Sequence, residues 1–572
     1  MKKHRRSLTY LFLFVLSLAL MLQGCVPADA PDEAMAAPPS YDTPAEVQRM
    51  RFMGEPNAGF GGTCGFSVAQ ATRLVFWPIV NFTDDGQDYA PGLAASWEPN
   101  EDFSTWTFNI DPRAVWSDGT PVTAGQIKRS WEARYIPELQ CGWGGAHFMM
   151  NAVVGEDEAW TNAEPGVAPD IPGISAPDDH TLVVEFTRPK PQVFSRLNHP
   201  TMFIFKPEPV LENPDPSAFP ETMIGAGPFM YQEYDTEAGT ALLVRSPTWW
   251  GDVTPQIDEI EFTPHIADRG SRVLAYLNDE FDFMGMDPGM WDQIKNTPSA
   301  NDLLWDPTGG WYVLVIKSNK PPFDDINVRK AFIHAIDYDL VVETLLADAP
   351  AQLPVYQVLP PTFDCYQEKR PWTYDPELAV QELAQSKYGG PENLPAINVR
   401  YWQKDILPAK IAQLYQQMWS QTLGVNVNLH QMGAWDAEFE KTVHLGRVSD
   451  GYSDLNPIEY LKSYGPSDGP VMCGVEGVEI CESKCPECVE QREPYAHIDE
   501  LVAQLDGLTP NSPNYCEAIN AAEDAINEDF HYVPLFDQRR VFLIKPWIKN
   551  ALVPRTGFFV TGLENIVYVA ER

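Results

Sequence analysis

INVRYWQKDILPAKIAQLYQQMWSQTLGVNVNL, residues 397–429, decides the fold class. From Pro408 to Leu423 the apolar residues take helical spacing, with Ile411, Leu414, Tyr415 and Met418 on one face. Gly424 then offers the left-handed position that stops a helix, and Val425-Asn-Val-Asn-Leu429 enters a strand. With Ile397 opening the segment as a strand, the order is strand, helix, strand. That order predicts a crossover unit of a two-layer α/β domain.

The rest of the chain extends this reading. Strand-like alternation appears in Ser104–Ile110, Thr181–Phe186, Ala241–Arg245 and Ile257–Phe262, and helical spacing over Val328–Leu346. Asp324 and Asp325 form an acidic helix start that the helix dipole favours. Ser117-Asp-Gly-Thr120 is a turn, because Asp118 accepts local backbone bonds and Gly119 permits positive φ. No His stands near it, so it is not read as catalytic. Gly225-Ala-Gly-Pro228 is a tight backbone passage and not a phosphate loop, since no Lys-Ser/Thr follows. There is no internal repeat at solenoid periods.

The length, 572 residues, suffices for two or three domains, and a hydrophobic fraction of 44% makes them globular. Eighty acidic residues against 40 basic ones give a net charge of −40. Nucleic acid is excluded by that balance, and broad contact with anionic lipid is disfavoured. The histidines are scattered singly with no metal-ligand spacing, so no metal, haem or other cofactor is expected.

The N-terminus carries Lys2, Lys3, Arg5 and Arg6 before an apolar run from Leu8 to Leu22. A basic stretch followed by a short apolar one is a secretory signal, too short for a comfortable spanning helix. It ends in Leu22-Gln-Gly-Cys25, which resembles the lipobox of bacterial lipoproteins. The resemblance implies signal peptide 1–24, lipid on Cys25 and a Pro/Ala/acid-rich tether over 25–40; a plainly cleaved signal or an uncleaved anchor is the alternative. Losing the leader's four cations takes the net charge to about −44. No later apolar stretch is long enough to span a bilayer.

Besides Cys25 there are Cys64, Cys141, Cys365, Cys473, Cys481, Cys485, Cys488 and Cys516. An even set in an exported chain predicts disulfides, with no pairing assigned. Cys473, Cys481, Cys485 and Cys488 also invite a zinc reading, but they lack two Cys-x2-Cys knuckles. The surrounding 471–494 reads as a stapled insertion.

Five segments in order resemble the family 5 bacterial extracellular solute-binding proteins, the dipeptide-, oligopeptide- and nickel-binding components of ABC importers. They are Pro91–Glu98 with Thr105–Ile110 and Trp116–Ala124; Gly225–Phe229 with Arg245–Gly251; Pro322–Phe332 with Ala335–Asp337; the unit ending Leu423–Val427; and Tyr532–Phe536. The resemblance implies an α/β, bilobed, periplasmic-binding-protein-like fold of type II with an extra domain. Lobe I would comprise 41–85, 222–315 and 537–572, the extra domain 86–221, and lobe II 316–536. Strands near 315 and 536 would form the hinge. A permease with its ATPase would be the partner, and a monomer is expected.

In peptide-binding members a carboxylate shortly before a Pro-x-x-aromatic motif pairs with the peptide's α-ammonium. The matching stretch is Ser449–Leu461, with Asn456-Pro457 in place of Asp-Pro. The carboxylate position falls on Ser453, with Asp454 one residue later and Asp450 three earlier. Asp454, Asp450 and Tyr452 are therefore expected in the cleft, together with Tyr401, Trp402 and Trp435, whose rings offer stacking surface. Trp106 and Trp419 read as core. The leading expectation is capture of a peptide or similar small polar ligand. An oligosaccharide is the alternative within the family, and an exported hydrolase or a signalling receptor the alternative outside it. No catalytic motif marks a nucleophile with its base.

Overall fold

The computed structural model describes residues 43–53, 69–83, 88–139, 141, 152–191, 193–199, 202–215, 222, 224–235, 237–286, 288–305, 310–318, 320–346, 352–361, 363–403, 406–433, 442–451, 457–464, 496–538, 541–551 and 567–571. Within it the deciding segment folds as strand Ile397–Trp402, helix Ile406–Leu423 and strand Val427–Met432. The two strands are parallel, from Ile397 opposite Val427 to Trp402 opposite Met432. Gly424 stops the helix at φ +69°, where a side chain would be strained. Ile411, Tyr415 and Trp419 are fully buried, and the Trp419 indole donates to Phe332 O at 2.7 Å.

This unit supplies two strands of a six-stranded sheet. Its order is Gln352–Leu353, Tyr532–Gln538, Gly310–Ile316, Leu445–Gly451, Ile397–Trp402, Val427–Met432. Strand Gly310–Ile316 is antiparallel to both neighbours. Pro534 has no N–H for the ladder, and the register shifts beside it, between Tyr312 and Val313. Two buried hydroxyls brace strand Tyr532–Gln538: Tyr338 donates to Leu535 O at 2.5 Å, and Tyr415 donates to Pro534 O.

The helical run expected over Val328–Leu346 is broken. Helix Ile326–His334 starts on Asp325, whose carboxylate accepts from Asn327 N at 2.9 Å. Asp337 then caps a new turn, Tyr338–Val341, by accepting from Leu340 N, and a π-turn follows over Val342–Leu346. An acid inside an apolar period thus acted as a cap and restarted the helix.

A second, seven-stranded sheet is assembled from distant pieces, in the order Leu303–Trp305, Val541–Ile544, Phe283–Met286, Arg49–Met53, Glu259–Thr263, Thr240–Arg245, Phe229–Asp235. Buried Asp282 ties it, accepting from Arg51 N at 2.8 Å, from the Arg51 guanidinium at 2.9 Å and from the Trp547 indole at 3.1 Å. A third sheet, Ala94–Pro99, Thr105–Ile110, Thr181–Glu185, Ile174–Asp178, has its own core, in which Trp106 and Trp131 are buried. Helix Ala124–Ala133 covers it from a capping box between Thr123 and Gln126.

The expected turn and the glycine passage sit where the third sheet meets the second. Asp118 accepts from Thr120 N at 3.0 Å, Gly119 has φ +84°, and Ser117 N donates to Gly225 O at 2.8 Å. Each large sheet carries its own core, giving the two lobes of a bilobed α/β protein.

Cys365 and Cys516 form a disulfide that ties the segment after Leu353 to helix Tyr515–Glu528. Cys141 is disulfide-bonded as well. Cys64 and the cluster Cys473, Cys481, Cys485, Cys488 lie outside the described residues. Among the described residues no helix is long and apolar enough to cross a membrane.

Candidate ligand-binding site

In open α/β sheets a ligand meets the carboxyl ends of the parallel strands. Strands Leu445–Gly451, Ile397–Trp402 and Val427–Met432 run parallel, so their carboxyl ends, Gly451, Trp402 and Met432, share one end of the six-stranded sheet. Gly310 and Gln538 are at that same end, since Gly310 is opposite both Gly451 and Gln538. The chain passes between the two large sheets here, because Leu303–Trp305 and Val541–Ile544 belong to the other one. Backbone topology thus brings the interlobe crossings and the three strand ends together.

Three of the expected contact residues fall at this end. Tyr401 and Trp402 close strand Ile397–Trp402, and Asp450 is the penultimate residue of Leu445–Gly451, with its backbone opposite Trp311. Tyr401 is 9% exposed on the face of Ile397 and Val399, so most of its ring is packed inward. Trp402, on the opposite face, is half-buried and has more surface to offer. Tyr452 and Asp454 follow that strand directly, and Trp435 stands three residues past Met432; all three lie outside the described residues.

Sequence reasoning passed over several groups beside these. Arg400 is buried in mid-strand with its guanidinium carbon 5.2 Å from the Trp402 ring centre. It fits because position 446 is glycine: a Cβ there would come within 2.9 Å of Arg400 Nη2. Asp537, also opposite Trp311, is a buried acid one residue from the end of Tyr532–Gln538. A charged residue within a strand pattern reads as solvated face, so the pattern gave no signal for either. Burial holds the Tyr338 and Tyr415 hydroxyls protonated far above their usual range, which keeps them donors to the strand carrying Asp537.

Among the described residues no group of His, Cys, Asp and Glu is arranged to hold a metal ion. Among the described residues these strand ends carry a half-buried indole, Trp402, and a buried acid, Asp537.

Comparison with known proteins agrees in kind. Residues 88–470 match the sequence model of the bacterial extracellular solute-binding proteins, family 5. The periplasmic oligopeptide-binding protein OppA of Escherichia coli is 26% identical over 496 residues, 85% of each chain. The dipeptide-binding protein DppE of Bacillus subtilis is 25% identical over 561 residues, 95% of this chain and 96% of the relative. Among solved structures, the unliganded open form of the periplasmic murein tripeptide-binding protein MppA superposes with a TM-score of 0.71 at 22% identity, covering 93% of this chain and 99% of that one. The OppA of Haemophilus influenzae in complex with RPPGFSPFR gives a TM-score of 0.67 at 20% identity, covering 92% and 100%.

Proposed function

Because the chain belongs to the family 5 bacterial extracellular solute-binding proteins, we propose that it captures a peptide between its two lobes and delivers it to the membrane permease of an ABC importer. The observation that carries this reading is the convergence of Tyr401, Trp402 and Asp450 on the sheet end where the chain crosses between lobes. Relatives named for oligopeptide and dipeptide binding, matched over most of their length, supply the ligand class. Binding, not turnover, is the activity.

The division into lobe I (41–85, 222–315, 537–572), extra domain (86–221) and lobe II (316–536) is supported by sheet membership. We draw the boundaries between Trp305 and Gly310 and between Gln538 and Val541, slightly earlier and later than the family resemblance implied. The reason is that Gly310–Ile316 and Tyr532–Gln538 belong wholly to the second-lobe sheet.

Trp402 is the ring to test first, because truncating the more deeply packed Tyr401 would disturb the core as well. Trp402→Ala should weaken peptide affinity about tenfold, roughly 1.4 kcal/mol, with the melting temperature little changed. Titration calorimetry with a peptide that stabilises the wild type checks this. Stabilisation of the wild type by oligosaccharides and not by peptides would move the ligand to the other class.

Export with lipid on Cys25 completes the reading. Cys25→Ser should abolish acylation and move the protein from the membrane to the soluble exported fraction. Mass spectrometry of the N-terminal peptide, with fractionation of cells, reads both effects. An unmodified wild-type Cys25 would contradict the anchor and leave the binding reading intact.

A further inference from the structure

Strand Leu445–Gly451 carries Asp450 and leads to Tyr452 and Asp454, yet its ladder with Ile397–Trp402 is short. Only Val399 opposite Leu445 and Arg400 opposite Gly446 are paired. One residue before those pairs, His444 N donates to Asn398 O at 2.9 Å. Asn398 N, which in a continued ladder would meet a carbonyl, donates instead to His444 Nδ1 at 3.1 Å. The imidazole thus stands in for a strand carbonyl. Asn398 is committed elsewhere too, its side chain donating to Thr442 O at 3.0 Å and accepting from Asn428 at 3.1 Å.

The same histidine braces the other side of its strand. Lys317 N donates to His444 O at 2.9 Å, just past the end of Gly310–Ile316. His444 therefore touches both strands that flank its own, at the sheet end opposite the candidate site. We infer that His444 is the positioning residue that registers strand Leu445–Gly451 on Ile397–Trp402, and so aligns the two strand ends that meet the ligand. This rests on the reading that ligand binds at those ends.

The hook requires an unprotonated Nδ1, since a ring N–H facing the Asn398 amide would set donor against donor. The groups packed around the ring favour that state. Lys317 and Lys320 are the charged groups facing it, Pro321 supplies a carbonyl, and the Phe323 ring lies 6.4 Å away. Burial first, then the two lysines, push the imidazole down to about 4. A histidine depressed in the folded state gives its full contribution above the unfolded value of about 6.5, and loses it as pH falls toward the folded one. The strand pair should therefore loosen in mildly acid medium while it is firm at neutrality.

The test compares the full chain with His444→Gln and His444→Leu. Glutamine carries an acceptor oxygen that does not titrate; leucine carries none. Amide exchange of peptides covering 397–402 and 445–451, corrected for intrinsic rates, is followed from pH 7.5 to 5. In the wild type, opening of this pair should rise by up to about tenfold per pH unit below pH 6. His444→Gln should show protection without that step, and His444→Leu should be loose throughout. Affinity for a tripeptide that stabilises the wild type should follow the same three profiles. Matching pH profiles for wild type and His444→Gln overturn the hook. A hook confirmed by exchange, with tripeptide affinity indifferent to it, keeps the registration and overturns its link to the site. Failure of every peptide to bind at any pH counts against the functional reading alone, and exchange still decides the role of His444.

Discussion

Glu523→Ala is expected to cost the second lobe about 2–3 kcal/mol, because it removes the buried acceptor shared by Leu359 N and the Gln357 amide, while the partly exposed Lys369 keeps Asp524 at 2.5 Å. The carboxylate is fully buried in helix Tyr515–Glu528. Its Oε1 accepts from Leu359 N at 2.8 Å and from the Gln357 amide at 2.9 Å, and its Oε2 meets Lys369 at 3.1 Å. Nearby, Asn527 accepts from Val358 N at 3.1 Å, and the Trp372 indole donates to Asn527 O at 3.2 Å. Among its described residues the segment 355–372 has no strand or helix of its own, so it is held on the lobe by these bonds, by the apolar packing of Val358, Leu359 and Phe363 and by the Cys365–Cys516 disulfide. Glu523→Gln keeps an acceptor for Leu359 and loses the charge opposite Lys369, so it should fall between the wild type and alanine. Denaturant unfolding gives the size of the effect, and limited proteolysis within 355–372 gives its place. A loss below 1 kcal/mol for alanine would mean that the segment is held by other contacts.

Gly225→Ala should fail to give soluble protein, or should lose several kcal/mol. A Cβ at 225 would come within 1.9 Å of Val75 O, and one at 227 within 2.3 Å of Leu74 O. Both obstacles are backbone carbonyls at the end of helix Ala69–Val75, so no side chain can rotate out of the way. Gly225 is also bridged to Phe205 and accepts from Ser117, so the strip joins the third sheet's turn to the first lobe. Gly285→Ala is the control: its Cβ would meet nothing within 4 Å, and the change should stay within about 0.5 kcal/mol. Thermal melts of the purified variants separate the two. Equal effects would show that loss of glycine flexibility, and not the clash, sets the cost.

Local patterns were legible because period and punctuation act within a few residues. The crossover over 397–432, the turn at 117–120 and the passage at 225–228 each follow from spacing plus a glycine at a defined place. The seven-stranded sheet was not readable from periodicity, since Arg49–Met53 pairs with Glu259–Thr263 across more than two hundred residues; only the family resemblance hinted at so scattered a lobe. Asp337 misled the helical reading because an acid fits an amphipathic pattern as readily as it caps.

The site was half legible. Tyr401, Trp402 and Asp450 were picked for their chemistry and position, and the strands bring them to one sheet end. Arg400 and His444 went unnoticed because each looks like an isolated polar residue. Their roles depend on a neighbour far along the chain: Gly446 leaves room for the first, and Asn398 needs the ring nitrogen of the second.

Native mass spectrometry of the exported body, purified without denaturation, puts peptide capture to a direct test. A fraction of molecules should carry bound peptide, released intact on denaturation and exchanged by added peptide without cleavage. A bound glycan would contradict the ligand class, and shortened products from an added peptide would contradict the reading as a binding protein.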